Sequence, residues 1–114
     1  MSVNVTVNGP LVAIKAKPSV TTATTIYTAA ANNPWVIGFR ATNTSGGPVT
    51  VTAELVSDSV GYALMDESVP ADSSIEGAGF PLPLRDGDSI RVTISSANVV
   101  AILMTVMDRA GALN

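Results

Sequence analysis

The stretch most suggestive of chemistry is Arg85-Asp86-Gly87-Asp88, where two carboxylates flank a glycine. Calcium loops begin in a similar way. They gather about six to eight oxygen ligands, and a bidentate Glu closes a loop of roughly twelve residues. Here the chain continues Ser-Ile-Arg-Val-Thr-Ile, a strand pattern with no acidic member. The expected structure is a turn in which Gly87 takes a positive φ and an Asp side chain accepts from nearby backbone N–H groups. No metal is expected.

The other candidate constellations are weaker. Glu76-Gly77-Ala78-Gly79-Phe80 contains Gly-x-Gly but lacks the third glycine and strand-to-helix setting of a dinucleotide loop. A bulge or a close approach is expected there, and no cofactor. Asp66 and Glu67 are neighbours, so on a strand they point to opposite faces. Asp58 with Asp66 is the remaining pair; glycoside hydrolysis needs two carboxylates about 5–10 Å apart. Serines are plentiful, but the chain has no histidine to activate them, which leaves only a Ser–Lys arrangement using Lys15 or Lys17. The absence of cysteine removes thiolate chemistry, thiolate metal sites and disulfides together. The expectation is a protein with no enzymatic activity.

Binding chemistry is limited in the same way. Nucleic-acid binders cluster Lys and Arg, whereas Lys15, Lys17, Arg40, Arg85, Arg91 and Arg109 are scattered through a chain of net charge −3. No nucleic-acid partner is expected. Five aromatics could supply a carbohydrate platform only if Trp35, Tyr27 or Tyr62 is exposed. The amino terminus, Met-Ser-Val-Asn-Val-Thr-Val-Asn-Gly-Pro, lacks the basic and apolar regions of a signal peptide. The longest apolar run, Ala97–Met107, holds 11 residues where a membrane-spanning helix needs about 20, so no membrane partner is expected.

The elements that must position these residues are strands. Val49–Val56 alternates Val49, Val51, Ala53 and Leu55 with Thr50, Thr52 and Glu54. Ser89–Ser95 alternates Ile90, Val92 and Ile94 with polar residues, and Val3–Val7 alternates in the same way. In Trp35–Asn43 the same period groups Trp35, Ile37, Phe39 and Ala41. Leu11–Ala16, Val20–Tyr27, Val60–Met65 and Ser73–Phe80 complete the set. Turns fall at Asn8–Pro10, Asn32–Pro34, Ser45–Pro48, Val69–Ser74 and Arg85–Asp88, with Ser45–Pro48 expected to close a hairpin. The threonine-rich Thr21–Asn33 is expected to be an edge strand leading into a loop.

Together these features predict an all-β, single-domain antiparallel sandwich of about eight strands, jelly-roll or immunoglobulin-like. An N-terminal strand or arm spans 1–19, the main sandwich 20–108 and a short tail 109–114. The predicted core is Trp35, Ile37, Phe39, Val51, Leu55, Ile90, Val92 and Ile94.

The run Asn98–Met107 is apolar on both faces: Val100, Ile102, Met104 and Val106 on one, Val99, Ala101, Leu103, Thr105 and Met107 on the other. A strand of this kind is either central or covered by another subunit. Only 13% of the residues are charged, against roughly 25% in typical soluble domains, which also suggests covered surface. The expectation is a homo-oligomer, with a trimer as the first choice, whose interface includes Val99, Ala101, Leu103, Thr105 and Met107.

The order of three pieces resembles a family of small structural proteins of tailed bacteriophages: Ile26–Ala29 (Ile-Tyr-Thr-Ala), Arg40–Val51 and Leu84–Asn98. The resemblance covers most of residues 20–108. It implies a virion component assembled in the host cytoplasm, either a capsid decoration or cement protein or a head-fibre-base subunit. Other virion proteins, such as the major capsid protein, would be its partners, and no catalytic residues are implied. A neck or tail ring protein, or a carbohydrate-binding sandwich module, is the alternative.

Overall fold

The computed structural model describes residues 11–30, 33–77 and 80–107. The predicted strand Val3–Val7 and the tail 109–114 lie outside these. The described elements are nine strands: β1 (Leu11–Ala16), β2 (Thr24–Thr28), β3 (Trp35–Asn43), β4 (Val49–Ser57), β5 (Val60–Val69), β6 (Ser73–Glu76), β7 (Leu82–Pro83), β8 (Ser89–Ile94) and β9 (Val100–Met107). They form two antiparallel sheets. One runs β1-β9-β3-β6, with the two-residue β7 also on β3, and the other runs β2-β8-β4-β5. Most consecutive strands therefore lie in opposite sheets, and among the described residues only β4 and β5 are joined as a hairpin. That alternation is the jelly-roll form of the predicted sandwich.

The inner faces meet in one core of Val36, Phe39, Ala41, Val51, Ala53, Leu84, Ile90, Val92, Ile94, Val100, Ile102, Met104 and Val106, among others. Of the eight predicted core residues, Phe39, Val51, Ile90, Val92 and Ile94 are buried as expected, and Leu55 is half-buried against the cluster. Phe39 is 4% exposed, and its ring stacks on that of Phe80 at 6.2 Å between centroids. Trp35 and Ile37 do not belong to the core. A β-bulge between Val36 and Gly38 gives β3 one extra residue opposite β9 and shifts its alternation. Val36 points inward before the bulge and Phe39 after it, which leaves Ile37 outside at 39% exposure. Simple alternation counted across the bulge assigns the wrong face to everything before it.

Turn chemistry supplies two further corrections. Ser45–Pro48 joins β3 to β4, which lie in different sheets, so it is an arch between sheets and not a hairpin. The buried Asn43 secures it. Its Nδ2 donates to the carbonyls of Gly47 (2.7 Å) and Val69 (3.0 Å), while its Oδ1 accepts from the Ser45 N–H at 2.9 Å. The true hairpin is β4–β5, closed by Asp58 and Ser59 between the paired residues Ser57 and Val60. Both turn residues have positive φ, 51° and 66°, as a two-residue type I′ turn requires. Because neither is glycine, the usual sequence signal for such a turn is missing.

Candidate assembly surface

Pairing register converts the outer face of the β1-β9-β3-β6 sheet into cross-strand rows, because directly paired residues project from the same face. One row reads Leu11, Met107, Trp35, Pro83 from β1 through β9 and β3 to β7. The next reads Ala13, Thr105, Gly38, with the bulged Ile37 beside it. The third reads Lys15, Leu103, Arg40, Glu76 from β1 to β6. In the fourth, Ala101 meets Thr42 and Ser74. The face is thus apolar at one end and crosses a charged row toward the other. Leu11 is 56% exposed and Leu103 45%, which is unusual for large aliphatic side chains on paired strands.

Of the predicted interface residues, Ala101 and Leu103 are exposed on this face, and Thr105 and Met107 are half-exposed on it. Val99 is not part of it. It precedes β9, packs against the core, and uses its carbonyl to accept from the N–H and hydroxyl of Thr44. β9 is central, between β1 and β3, which satisfies its backbone but leaves its outer side chains uncovered. Beside Leu103 lies an open hollow of about 390 Å³, lined by Ile37, Gly38, Arg40, Glu76 and Thr105. Arg40 Nη2 donates to Glu76 Oε2 across it at 3.1 Å. Lys15, Arg40 and Glu76 are not legible as surface partners in the sequence, because only the sheet order places β6 and β1 at opposite rims of β9 and β3.

The catalytic candidates separate. Arg85–Asp88 is a turn: Gly87 has φ +90°, and Asp88 Oδ2 accepts from the Arg85 N–H at 3.0 Å. Asp88 is buried, and its Oδ1 accepts from the Ser57 hydroxyl at 2.6 Å. The Ser57 hydroxyl above all, then the Arg85 N–H and charge, hold the carboxyl below the usual Asp value despite burial. A carboxylate stabilised in this way is a poor base for Ser57, so the contact serves to pin the turn to the end of β4. Asp58 sits in the hairpin turn, while Asp66 lies six residues beyond Val60 on β5, about 20 Å away at the usual strand rise. That is too far for one sugar bond. Among the described residues, no group of three His, Cys, Asp or Glu is arranged to hold a metal ion. Gly77 marks a close approach: its N–H donates to the Phe39 carbonyl, and a Cβ there would fall 2.7 Å from the Phe80 ring. Trp35 is on one sheet, and Tyr27 and Tyr62 are on opposite edges of the other, so the three aromatics share no platform.

No protein-family model and no curated protein matches the chain. Among solved structures it is similar to a Bacillus protein described under "Bacillus endospore appendages form a novel family of disulfide-linked pili". The TM-score is 0.55 with 22% sequence identity, over 85% of this chain and 82% of that one. At this identity the likeness establishes the all-β sandwich and nothing finer. The disulfides of that description have no counterpart here, since the chain contains no cysteine.

Proposed function

We propose that the chain is a non-enzymatic structural subunit of a larger assembly, working through protein–protein interfaces. The observation that carries this reading is the open, partly apolar outer face centred on Leu103 and Ile37, on a domain whose acidic and serine residues form no catalytic constellation among the described residues. Such a face on a free monomer is an association site or an aggregation hazard. The fold likeness to a pilus protein supports a sandwich used for building. With no cysteine in the chain, self-assembly through it does not use disulfides.

The resemblance of Ile26–Ala29, Arg40–Val51 and Leu84–Asn98 to tailed-phage structural proteins supports a finer version. In it, the subunit decorates or cements the exterior of a capsid, with the major capsid protein as partner. Binding only the assembled lattice would stabilise that lattice by mass action. The test is immunogold labelling with antibodies to the purified chain, applied to phage particles and surface appendages from the source organism. Regular label over phage heads is the expected result, and regular label along fibres would retain the structural role but replace the location. Diffuse label in the soluble fraction, with no ordered assembly, would overturn the proposal.

A further inference from the structure

We infer that the outer face of the β1-β9-β3-β6 sheet pairs with the same face of a second copy of this chain, about a two-fold axis parallel to the strands. This deepens the structural reading above and rests on it. The argument comes from the rows. A two-fold axis lying in the interface along the strand direction keeps each row at its own level and reverses its left-to-right order. The row Lys15, Leu103, Arg40, Glu76 then lies on Glu76, Arg40, Leu103, Lys15 of the second copy. Each Lys15 ammonium meets a Glu76 carboxylate, twice per pair, and each Leu103 lies on the aliphatic stem of an Arg40.

The groups are free for this. Lys15 has no ion pair among the described residues, and Glu76 engages Arg40 through Oε2 alone. The Glu76 side chain is 72% exposed. At the apolar end, Met107 of one copy lies on Trp35 of the other, and Leu11 lies on Pro83. Sulfur against an aromatic ring is a favourable contact. Between these rows, Thr105 faces Gly38, where the missing Cβ leaves open space.

The competing arrangements fit less well. A two-fold axis running across the strands would invert the levels and set the charged row against apolar ones. Stacking this face on the outer face of the other sheet would bury Met107 and Leu103 against Thr50, Thr52 and Thr93. There Arg91 already closes on Glu54 at 2.7 Å, and Asp66 accepts from Thr52. Four strands at about 4.8 Å spacing and the eight residues of β9 at about 3.3 Å rise give a sheet face of roughly 19 by 26 Å. With its flanking loops this suits a small interface, toward the low end of the about 800 Å² per partner of standard ones. Sheets pack face to face about 10 Å apart, so the pair forms a four-layer stack with the dimensions of ordinary sandwich packing.

The test is charge reversal on the full chain, followed by sedimentation velocity over a concentration series. Lys15→Glu alone and Glu76→Lys alone place like charges opposite each other twice, and each should weaken the dimer by about ten-fold or more. Mixing the two variants should restore pairing, because at both contacts of the mixed pair a carboxylate again faces an ammonium. The double variant K15E/E76K should dimerise by itself. Rescue within one chain is not available, since three strand spacings of about 4.8 Å separate positions 15 and 76. Circular dichroism establishes that each variant is folded. If a single one is not, the double variant carries the test by pairing with itself but not with wild type, where the carboxylate placed at position 15 would face Glu76 and the ammonium placed at position 76 would face Lys15. A wild-type dimer weakened by each reversal and rescued in the mixture supports the pairing. An assembly indifferent to both reversals, or a trimer, overturns the pairing while leaving the structural role to the labelling experiment. A wild-type monomer at every concentration overturns it too.

Discussion

The two broad outer faces of the sandwich share a pleat, a strand spacing and a twist, yet they are finished differently. On the β2-β8-β4-β5 sheet the outward rows are mostly polar: Thr25 beside Arg91 and Glu54, Thr93 beside Thr52 and Asp66, and Thr50 beside Ser68, with the half-buried Val56 beside Ser89 as the apolar exception on β4. Their charges are closed locally, Arg91 Nε on Glu54 at 2.7 Å. On the β1-β9-β3-β6 sheet the outward rows carry Leu11, Met107, Trp35, Ile37 and Leu103, with Lys15 left without an ion pair among the described residues. One face is finished for water. The other presents what a neighbour can use, which gives the subunit a defined inside and outside in any assembly.

The largest effect should come from breaking the core that both faces enclose. Phe39→Ala removes a buried ring stacked on Phe80 and should cost about 3–5 kcal/mol in chemical denaturation. Its outward neighbour two positions earlier, replaced as Ile37→Ala, should cost under about 1 kcal/mol. Equal losses at the two positions would place the bulge elsewhere. Next is Asn43→Ala, which strips partners from the arch joining the sheets and should cost about 2–3 kcal/mol, read by the same measurement.

Asp88→Asn is expected to cost about 1–2 kcal/mol at neutral pH and to flatten the acid limb of stability. The sign follows from the depressed carboxyl. The unfolded chain binds this proton more readily, so the stabilisation is fully present above the ordinary Asp value. It is lost as pH falls through the lower folded value. Melting curves between about pH 2 and 6 for both proteins test this, and identical pH dependence would remove Asp88 from the account. The smallest effect on folding should be that of Leu103→Asp, within about 0.5 kcal/mol for the isolated subunit, together with loss of self-association in sedimentation. A strongly destabilised monomer would mean that Leu103 is covered within its own chain.

Much of this contrast is readable in the sequence. β8 alternates from end to end and β4 does so as far as Leu55, so their inner and outer residues are assigned correctly up to Val56, an apolar residue at an outward position. β9 declares two apolar faces, and the structure puts one in the core and leaves the other open. β3 fails at its first residues because a bulge adds a residue without any change in composition. The β4–β5 hairpin escapes notice because Asp58 and Ser59 adopt positive φ without the Gly that advertises it. The charged row is invisible for another reason. Lys15, Leu103, Arg40 and Glu76 are brought level only by long-range pairing, which no local pattern encodes.

The place of β9 between β1 and β3 also sets a schedule. The strand that completes this sheet is the last of the nine along the chain, so during synthesis β1 and β3 emerge long before the element that bridges them. Until Val100–Met107 leaves the ribosome, both strands carry an unpaired edge and the core lacks one wall. Non-local pairing of this kind folds slowly, over milliseconds to seconds in comparable β topologies. Closure of the domain and creation of its apolar outer face therefore coincide: the rows centred on Leu103 come into existence only when the fold is finished. A nascent chain cannot dock prematurely through a surface it has not yet made.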